Sequence, residues 1–365
     1  MGLGVARSTH DLTIPEMKKQ FMEMAREAFR TRREGPLLTA IDPVALISQI
    51  WVFIGLSQSV YPTTPLRRCL QRLFGEDTTL YGPPPPRAQR TTRVAITAVR
   101  GDGNESLCLM TNYNRKTWDN LEREDQYSNE LRVWEAGLAT AAAPVYFRAF
   151  EKPETQKAYL DGGLKANFPG EKALQEMSKI WAFKSHMGVV EPHLDLMVTV
   201  GTGVQSHEIR VPFSGGGFDK MVKMFSDNLD SEHLWQEFSK LQGDHHASRT
   251  VRLNSSLPFS KYIPFYEYKT MDAIAGHVED EGQNNEKLRA SVRSSAVQIL
   301  ATFFFFQPDV LAHPISRVGH GAVAQANCSG SIRCRLARGS PELAKLIDKV
   351  DGFFLATTET YDDPR

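Results

Sequence analysis

Asp161 is the side chain in this sequence best placed to do chemistry. It follows the short apolar run Ala158-Tyr159-Leu160 and is followed at once by Gly162 and Gly163. A carboxylate at the carboxyl end of a buried strand is where α/β folds place reacting groups, and one held near a substrate can take or give a proton. The two glycines let the backbone turn sharply and let another group come close. Asn167 and Pro169 then close a turn. The same residues also fit an Asx-type turn that does no chemistry. Other chemical signals are weaker. Gly201-Thr202-Gly203 suggests a phosphate loop but lacks the longer glycine pattern and a lysine partner, so it reads as a tight turn. Gly55-Leu56-Ser57-Gln58-Ser59 has no second glycine and lies in an apolar helix-like run. Of ten histidines none forms H-E-x-x-H; His186 and His193 flank Glu191 with a proline between, and His245-His246 lies in a polar stretch. Cys328 and Cys334 are not at a usual zinc spacing, and no EF-hand pattern is present. No metal or cofactor is expected.

The elements that must position Asp161 are legible as alternating strands and helices. Arg93–Val99 and Leu107–Asn112 are rich in Val, Ile, Leu and Thr and read as buried strands around the turn Gly101–Asn104. Glu130–Ala142 reads as a helix whose Ala-rich end can pack close to a sheet, ended by Pro144. The Asp161 strand, a helix over 169–183 and a strand over 194–200 follow. Strand alternating with helix over 93–203 predicts α/β layering on a mostly parallel sheet. Before this region, Thr13-Ile14-Pro15-Glu16 reads as a capping box opening a helix to about Arg30, with Ile14, Met17, Phe21, Met24 and Ala28 on one face. The apolar stretch 42–61 is a core helix or a lid over a pocket, too short in apolar residues for a span. A short helix over 66–74 precedes Tyr81-Gly82-Pro83-Pro84-Pro85-Pro86, a stiff connector. Helices are expected over 220–241 and 291–305, the latter ending in Phe303–Phe306, with a short strand over 251–254 between them. A helix over 341–350 and a strand over 352–357 make a small α+β C-terminal segment.

The whole-chain numbers exclude some classes. With 365 residues the chain holds one large domain or two medium ones, and 41% hydrophobic with 24% charged residues is ordinary globular composition. Lys plus Arg and Asp plus Glu are 43 each, so no global field draws the chain to nucleic acid or anionic lipid. Four scattered cysteines favour a reducing compartment. No signal peptide or transmembrane segment is visible at the N-terminus. The triplets at Asn104, Asn254 and Asn327 fit the glycosylation sequon, a pattern common by chance.

Taken together, Trp134-Glu135-Ala136 with Ala141-Ala142-Ala143-Pro144, then Asp161-Gly162-Gly163, then Val198-Thr199-Val200-Gly201-Thr202-Gly203, resemble the patatin-like phospholipases in the intracellular form common in fungi. The resemblance runs from about Met1 to about Asp272. It implies a three-layer α/β/α fold with a mostly parallel central sheet, here as residues 1–306 with an appendage at 307–365. It implies a lipid acyl hydrolase that cleaves phospholipid or other glycerolipid esters by a Ser–Asp dyad at a membrane or lipid-droplet surface, in the cytoplasm or peripheral to membranes, without nucleic acid. Asp161 matches the catalytic aspartate, and Gly162 and Gly163 complete its motif. Neither the G-x-S-x-G nucleophile elbow nor the G-G-G-x-R-G oxyanion loop occurs in the 365 residues; Gly215-Gly216-Gly217 falls too late in the chain. The expectation is either an N-terminal truncation or a natural chain that lost its nucleophile, the latter acting as an inactive module that binds lipid or protein. The 365 residues alone are expected to show no serine-dependent ester hydrolysis and to be poorly soluble.

Overall fold

The computed structural model describes residues 13–30, 59, 61–81, 93–101, 106–113, 130–144, 146–184, 194–204, 231–241, 249–257, 267–308, 330–336 and 338–347. The apolar stretch around Ser57, the proline run, the Gly215–Gly217 triplet, His186, His193, His245, His246, Cys328 and the strand expected over 352–357 lie outside them, as does the first half of the helix expected over 220–241.

Helix α1 (Ile14–Arg30) opens as its sequence predicts. The Thr13 amide and hydroxyl both donate to Glu16 Oε2 at 2.7 Å, which satisfies donors that a helix start leaves unpaired. Met17, Ala25 and Ala28 are its buried face. Helix α2 (Thr63–Phe74) packs against it and buries Leu66, Cys69, Leu70 and Phe74. Helix α3 (Val133–Thr140) packs in turn on α2 and is buried on nearly every side from Val133 to Ala139. Ala136, Gly137 and Ala139 carry almost no side chain there, so the helix axis comes close to the sheet beneath it.

That sheet has four strands in the order β2-β1-β4-β3: β1 (Ala95–Arg100), β2 (Leu107–Thr111), β3 (Phe150–Lys152) and β4 (Lys157–Asp161). The α/β class holds, but the pairing around Asp161 differs from the parallel expectation. All three pairings in this sheet are antiparallel. Connection length decides two of them, β1–β2 and β3–β4. The links from Arg100 to Leu107 and from Lys152 to Lys157 are too short for a parallel crossover, which takes a dozen or more residues. Parallel pairing occurs between β5 (Met197–Val200) and β6 (Thr250–Leu253), whose long connection contains helix α6 (Ser231–Leu241). The core gathers α2, α3 and the sheet around Leu80, Met110, Leu131, Leu138 and Tyr159. Phe150 stacks on Tyr159 and meets Trp134 edge to face, locking the β3–β4 hairpin beneath α3.

After β4 come a short helix α4 (Gly163–Ala166) and helix α5 (Gly170–Lys184). Helices α7 (Met271–Asn284) and α8 (Glu286–Ala301) follow β6, and the periodicity of α7 escaped the sequence reading. Asn285 separates them and caps α8, accepting the Leu288 amide at 3.1 Å. The expected helix over 291–305 stops short of its phenylalanines. Thr302 caps α8, and Phe304–Pro308 is a strand, β7, paired antiparallel with β8 (Gly330–Cys334). A run of aromatics suits a pleated surface better than a helix, which explains the change. Helix α9 (Pro341–Ile347) is the last described element. No helix among the described residues is long and apolar enough to cross a membrane.

Candidate functional site

Asp161 is the last residue of β4, directly opposite Ala98 of β1. Its backbone is held from above, where its amide donates to the Ala142 carbonyl at 3.1 Å. Ala142 lies in the turn that follows α3, so the Ala-Ala-Ala-Pro segment and the Asp-Gly-Gly segment meet in space through this bond. The carboxylate is oriented by its own chain: the Gly163 amide donates to Asp161 Oδ1 at 2.7 Å. This is the Asx-turn geometry anticipated as an alternative. It fixes one oxygen and leaves Oδ2 without a hydrogen bond among the described residues. The group is half-buried, and that burial pushes its pKa up from 3.8 to about 6 against the opposing pull of the Gly163 amide. A carboxyl so placed can act as a proton acceptor near neutral pH.

Of the two uses expected of the glycines, the close approach of another group holds at Gly162 and the sharp turn does not. Gly162 has φ −62° and ψ −25°, a helical backbone any residue adopts. Its requirement is spatial. A Cβ there would stand 2.3 Å from both the Thr97 carbonyl oxygen and Thr97 Oγ1, so β1 and the start of α4 could not approach. At Gly163 a Cβ would stand 3.1 Å from Asp161 Oδ1 and crowd the carboxylate. Asn167 follows at the end of α4, its Oδ1 3.5 Å from that same position.

Helix α3 and the β3–β4 hairpin are joined by a buried ion pair invisible in the sequence. Lys152 Nζ donates to Glu135 Oε2 at 2.9 Å and to the Glu130 carbonyl at 3.2 Å, and each charged side chain is 4% exposed. Glu135 Oε2 also accepts the Arg132 amide at 2.8 Å. Trp134 Nε1 donates to the Glu76 carbonyl at 2.9 Å, tying α3 to the segment after α2.

Gly201-Thr202-Gly203 is a bend rather than the tight turn expected, because the chain continues beside the same partner and Val204 pairs in parallel with Ser256. Gly203 has φ +104°, and its amide donates to Asn254 Oδ1 at 2.8 Å. Asn254 Nδ2 donates in turn to Glu232 Oε2 at 2.8 Å, so the sequon asparagine is engaged at both ends. Cys69 and Cys108 are buried free thiols, and burial pushes the Cys69 thiol up to about 11. No group of three or more His, Cys, Asp or Glu that could hold a metal is found among the described residues.

Residues 8–174 match the family model described as patatin-like phospholipase, a span that holds α1–α4 and the whole antiparallel sheet, and runs just into α5. This part of the chain is a patatin-like phospholipase domain. Relatives agree. The chain is 26% identical over 181 residues to a cGAMP-activated phospholipase of Escherichia coli (strain TW11681), covering 48% of this chain and 40% of that protein. It is 32% identical over 158 residues to the 85/88 kDa calcium-independent phospholipase A2 of Rattus norvegicus, covering 39% of this chain and 18% of the other. It is 28% identical over 138 residues to Patatin-like phospholipase 1 of Plasmodium falciparum (isolate NF54), covering 35% and 20% respectively. The chain therefore spans less than half the length of these relatives. Residues 327–364 match a second family model, a domain of unknown function (DUF8392). Within the patatin-like domain, Thr97 and Ala142 meet the Asp161-Gly162 segment, Glu135 and Lys152 join α3 to the β3–β4 hairpin, and none of the four was picked out individually in the sequence. The adjacency of Ala-Ala-Pro and Asp-Gly-Gly in one family motif was the available signal.

Proposed function

We propose that these residues belong to a lipid acyl hydrolase that cleaves acyl esters of phospholipids or other glycerolipids, with Asp161 as the general base of a Ser–Asp dyad. The observation that carries this is the half-buried Asp161 carboxyl at a strand end, with Oδ1 held by the Gly163 amide and Oδ2 open. A free aspartate is a weak base at neutral pH, because its affinity for a proton is too low. Burial narrows that gap, and a carboxylate near 6 is matched to accepting a hydroxyl proton as the ester is attacked. The serine must come from an elbow that the 365 residues do not contain, so the proposal concerns a polypeptide in which one is present. The family match and the phospholipase relatives support the lipid ester as substrate class. The substrate is presented at a membrane or lipid-droplet surface.

The test uses the protein purified from its native source, with whatever sequence accompanies these residues. Fatty-acid release from mixed phospholipid vesicles is compared with that of Asp161→Asn introduced at the native locus. A loss of about 10⁴-fold is expected, the scale seen when the carboxylate of a hydrolase triad is removed. Hydrolysis undiminished in Asp161→Asn, or no fatty-acid release by the unaltered protein, would overturn the reading.

A further inference from the structure

We propose that the buried Glu135–Lys152 ion pair is a positioning device for Asp161, fixing where helix α3 ends against the β3–β4 hairpin and so holding the Ala142 carbonyl on the Asp161 amide. Its catalytic meaning rests on the hydrolase reading above; its structural content does not.

Four segments form a closed circuit. From Glu135, α3 and its following turn lead to Ala142. The Ala142 carbonyl accepts the Asp161 amide at 3.1 Å. From Asp161, β4 runs back to Lys157, which pairs with Lys152 at the end of the β3–β4 register. Lys152 returns to Glu135 through the 2.9 Å ion pair. The two long sides are a helix and a strand, both stiff along their axes. The two short sides are single polar contacts, one at each end.

The other directional contacts of α3, Trp134 Nε1 to the Glu76 carbonyl at 2.9 Å and the Val133 amide to the Thr78 carbonyl at 2.8 Å, hold its first turn to the segment after α2 and not to the β3–β4 hairpin. Its other contacts are largely apolar, through Val133, Ala136, Leu138 and Ala139, and apolar contact is not directional. The small residues that let α3 approach the sheet also present few knobs to stop it sliding. A shift of one residue along a helix is about 1.5 Å, enough to break the Ala142–Asp161 hydrogen bond. Lys152 supplies a fixed reference because its ammonium is triangulated: Glu135 Oε2 at 2.9 Å, the Glu130 carbonyl at 3.2 Å and Glu154 Oε2 at 3.9 Å. Glu135 is equally constrained, since it also takes the Arg132 amide. Cohesion alone does not account for the pair. Two charges buried this deeply forfeit hydration, and apolar side chains of similar volume in their place are often as stabilising. Directionality is what the ion pair has and an apolar pair lacks.

The test is amide hydrogen exchange on the 365-residue chain carrying Glu135→Gln and Lys152→Met together. This double variant keeps volume and net charge, and the carboxamide oxygen that replaces the Glu135 carboxylate can still accept the Arg132 amide. The Asp161 amide is read against the Gly101 amide, which donates to the Ala158 carbonyl at 2.8 Å in the same sheet. The expected result is at least a tenfold drop in protection at Asp161 relative to Gly101. Equal loss at both amides would show a merely structural role and overturn the proposal, as would no loss at either. Should the double variant not fold, Lys152→Arg is read by the same ratio, since it retains charge while moving the donors. Turnover does not enter this ratio. Failure of the hydrolase reading would leave the ratio intact, and failure of the ratio would leave Asp161 available as a base.

Discussion

Replacing Asp161 by Asn should stabilise the fold at neutral pH while removing the carboxylate, and the effect has a signature in its pH dependence. In the folded chain, burial raises the Asp161 pKa from 3.8 to about 6. Between those values the folded state holds a proton that the unfolded state has released. Stability contributed by this site is therefore fully present below about 3.8, falls as pH rises, and is lost above about 6. At 1.36 kcal/mol per unit, that gap corresponds to about 3 kcal/mol as an upper figure. Asn cannot ionise, and its side-chain oxygen can still accept the Gly163 amide, so the variant escapes the loss. Part of the gain is offset by the new amide group, which costs about 1–3 kcal/mol if left unpaired. The growth of the difference with pH is untouched by that offset. Urea unfolding of the chain and of Asp161→Asn at half-unit steps from pH 4 to 8 measures it, provided both share one slope against denaturant. The variant should gain on the parent by up to about 3 kcal/mol across this range, most of it between pH 4 and 7. Parallel curves, or a parent that strengthens relative to the variant as pH rises, would refute the burial argument.

Two further outcomes follow from the same geometry. Gly162→Ala should destabilise by at least about 2 kcal/mol, because its Cβ would meet the backbone of β1 rather than a yielding side chain; a melting temperature within a degree of the parent would contradict this. Asn254→Ala should cost about 1–3 kcal/mol, since it orphans the Gly203 amide. The loss should appear in exchange at Gly203, while the Asp161 amide in the other sheet stays protected; equal loss at both would show that the two sheets open as one unit.

How much was legible depended on the range over which each signal acts. The capping box at Thr13–Glu16 was readable because its donors and acceptors lie three residues apart. The core strands and α3 were readable from composition, since apolar β-rich runs and an Ala-rich stretch each announce themselves locally. The direction of strand pairing was misjudged. Alternating strands and helices favour parallel sheets in general, yet the two short connections here dictate antiparallel neighbours. The phenylalanine run was misplaced in a helix because periodicity upstream was extended past Ala301. The Asp161 motif was recognised as a unit, and a close approach at Gly162 was expected, but not the group that makes it. The Gly162 backbone is ordinary, and only the nearness of Thr97, more than sixty residues earlier, excludes a side chain.

By itself the sequence determined which residue is the candidate base, which family the domain belongs to, and where most elements begin and end. These properties reside in residue type and short spacing, and the physics behind them, such as capping, alternation and turn chemistry, reaches only a few positions along the chain. The tertiary structure alone decided that Ala142 holds the Asp161 amide, that Glu135 and Lys152 share a buried contact, and that burial lifts the carboxyl toward neutrality. Each joins groups distant in sequence or depends on how much solvent the folded surroundings exclude, and exclusion of solvent is a property of the packed whole.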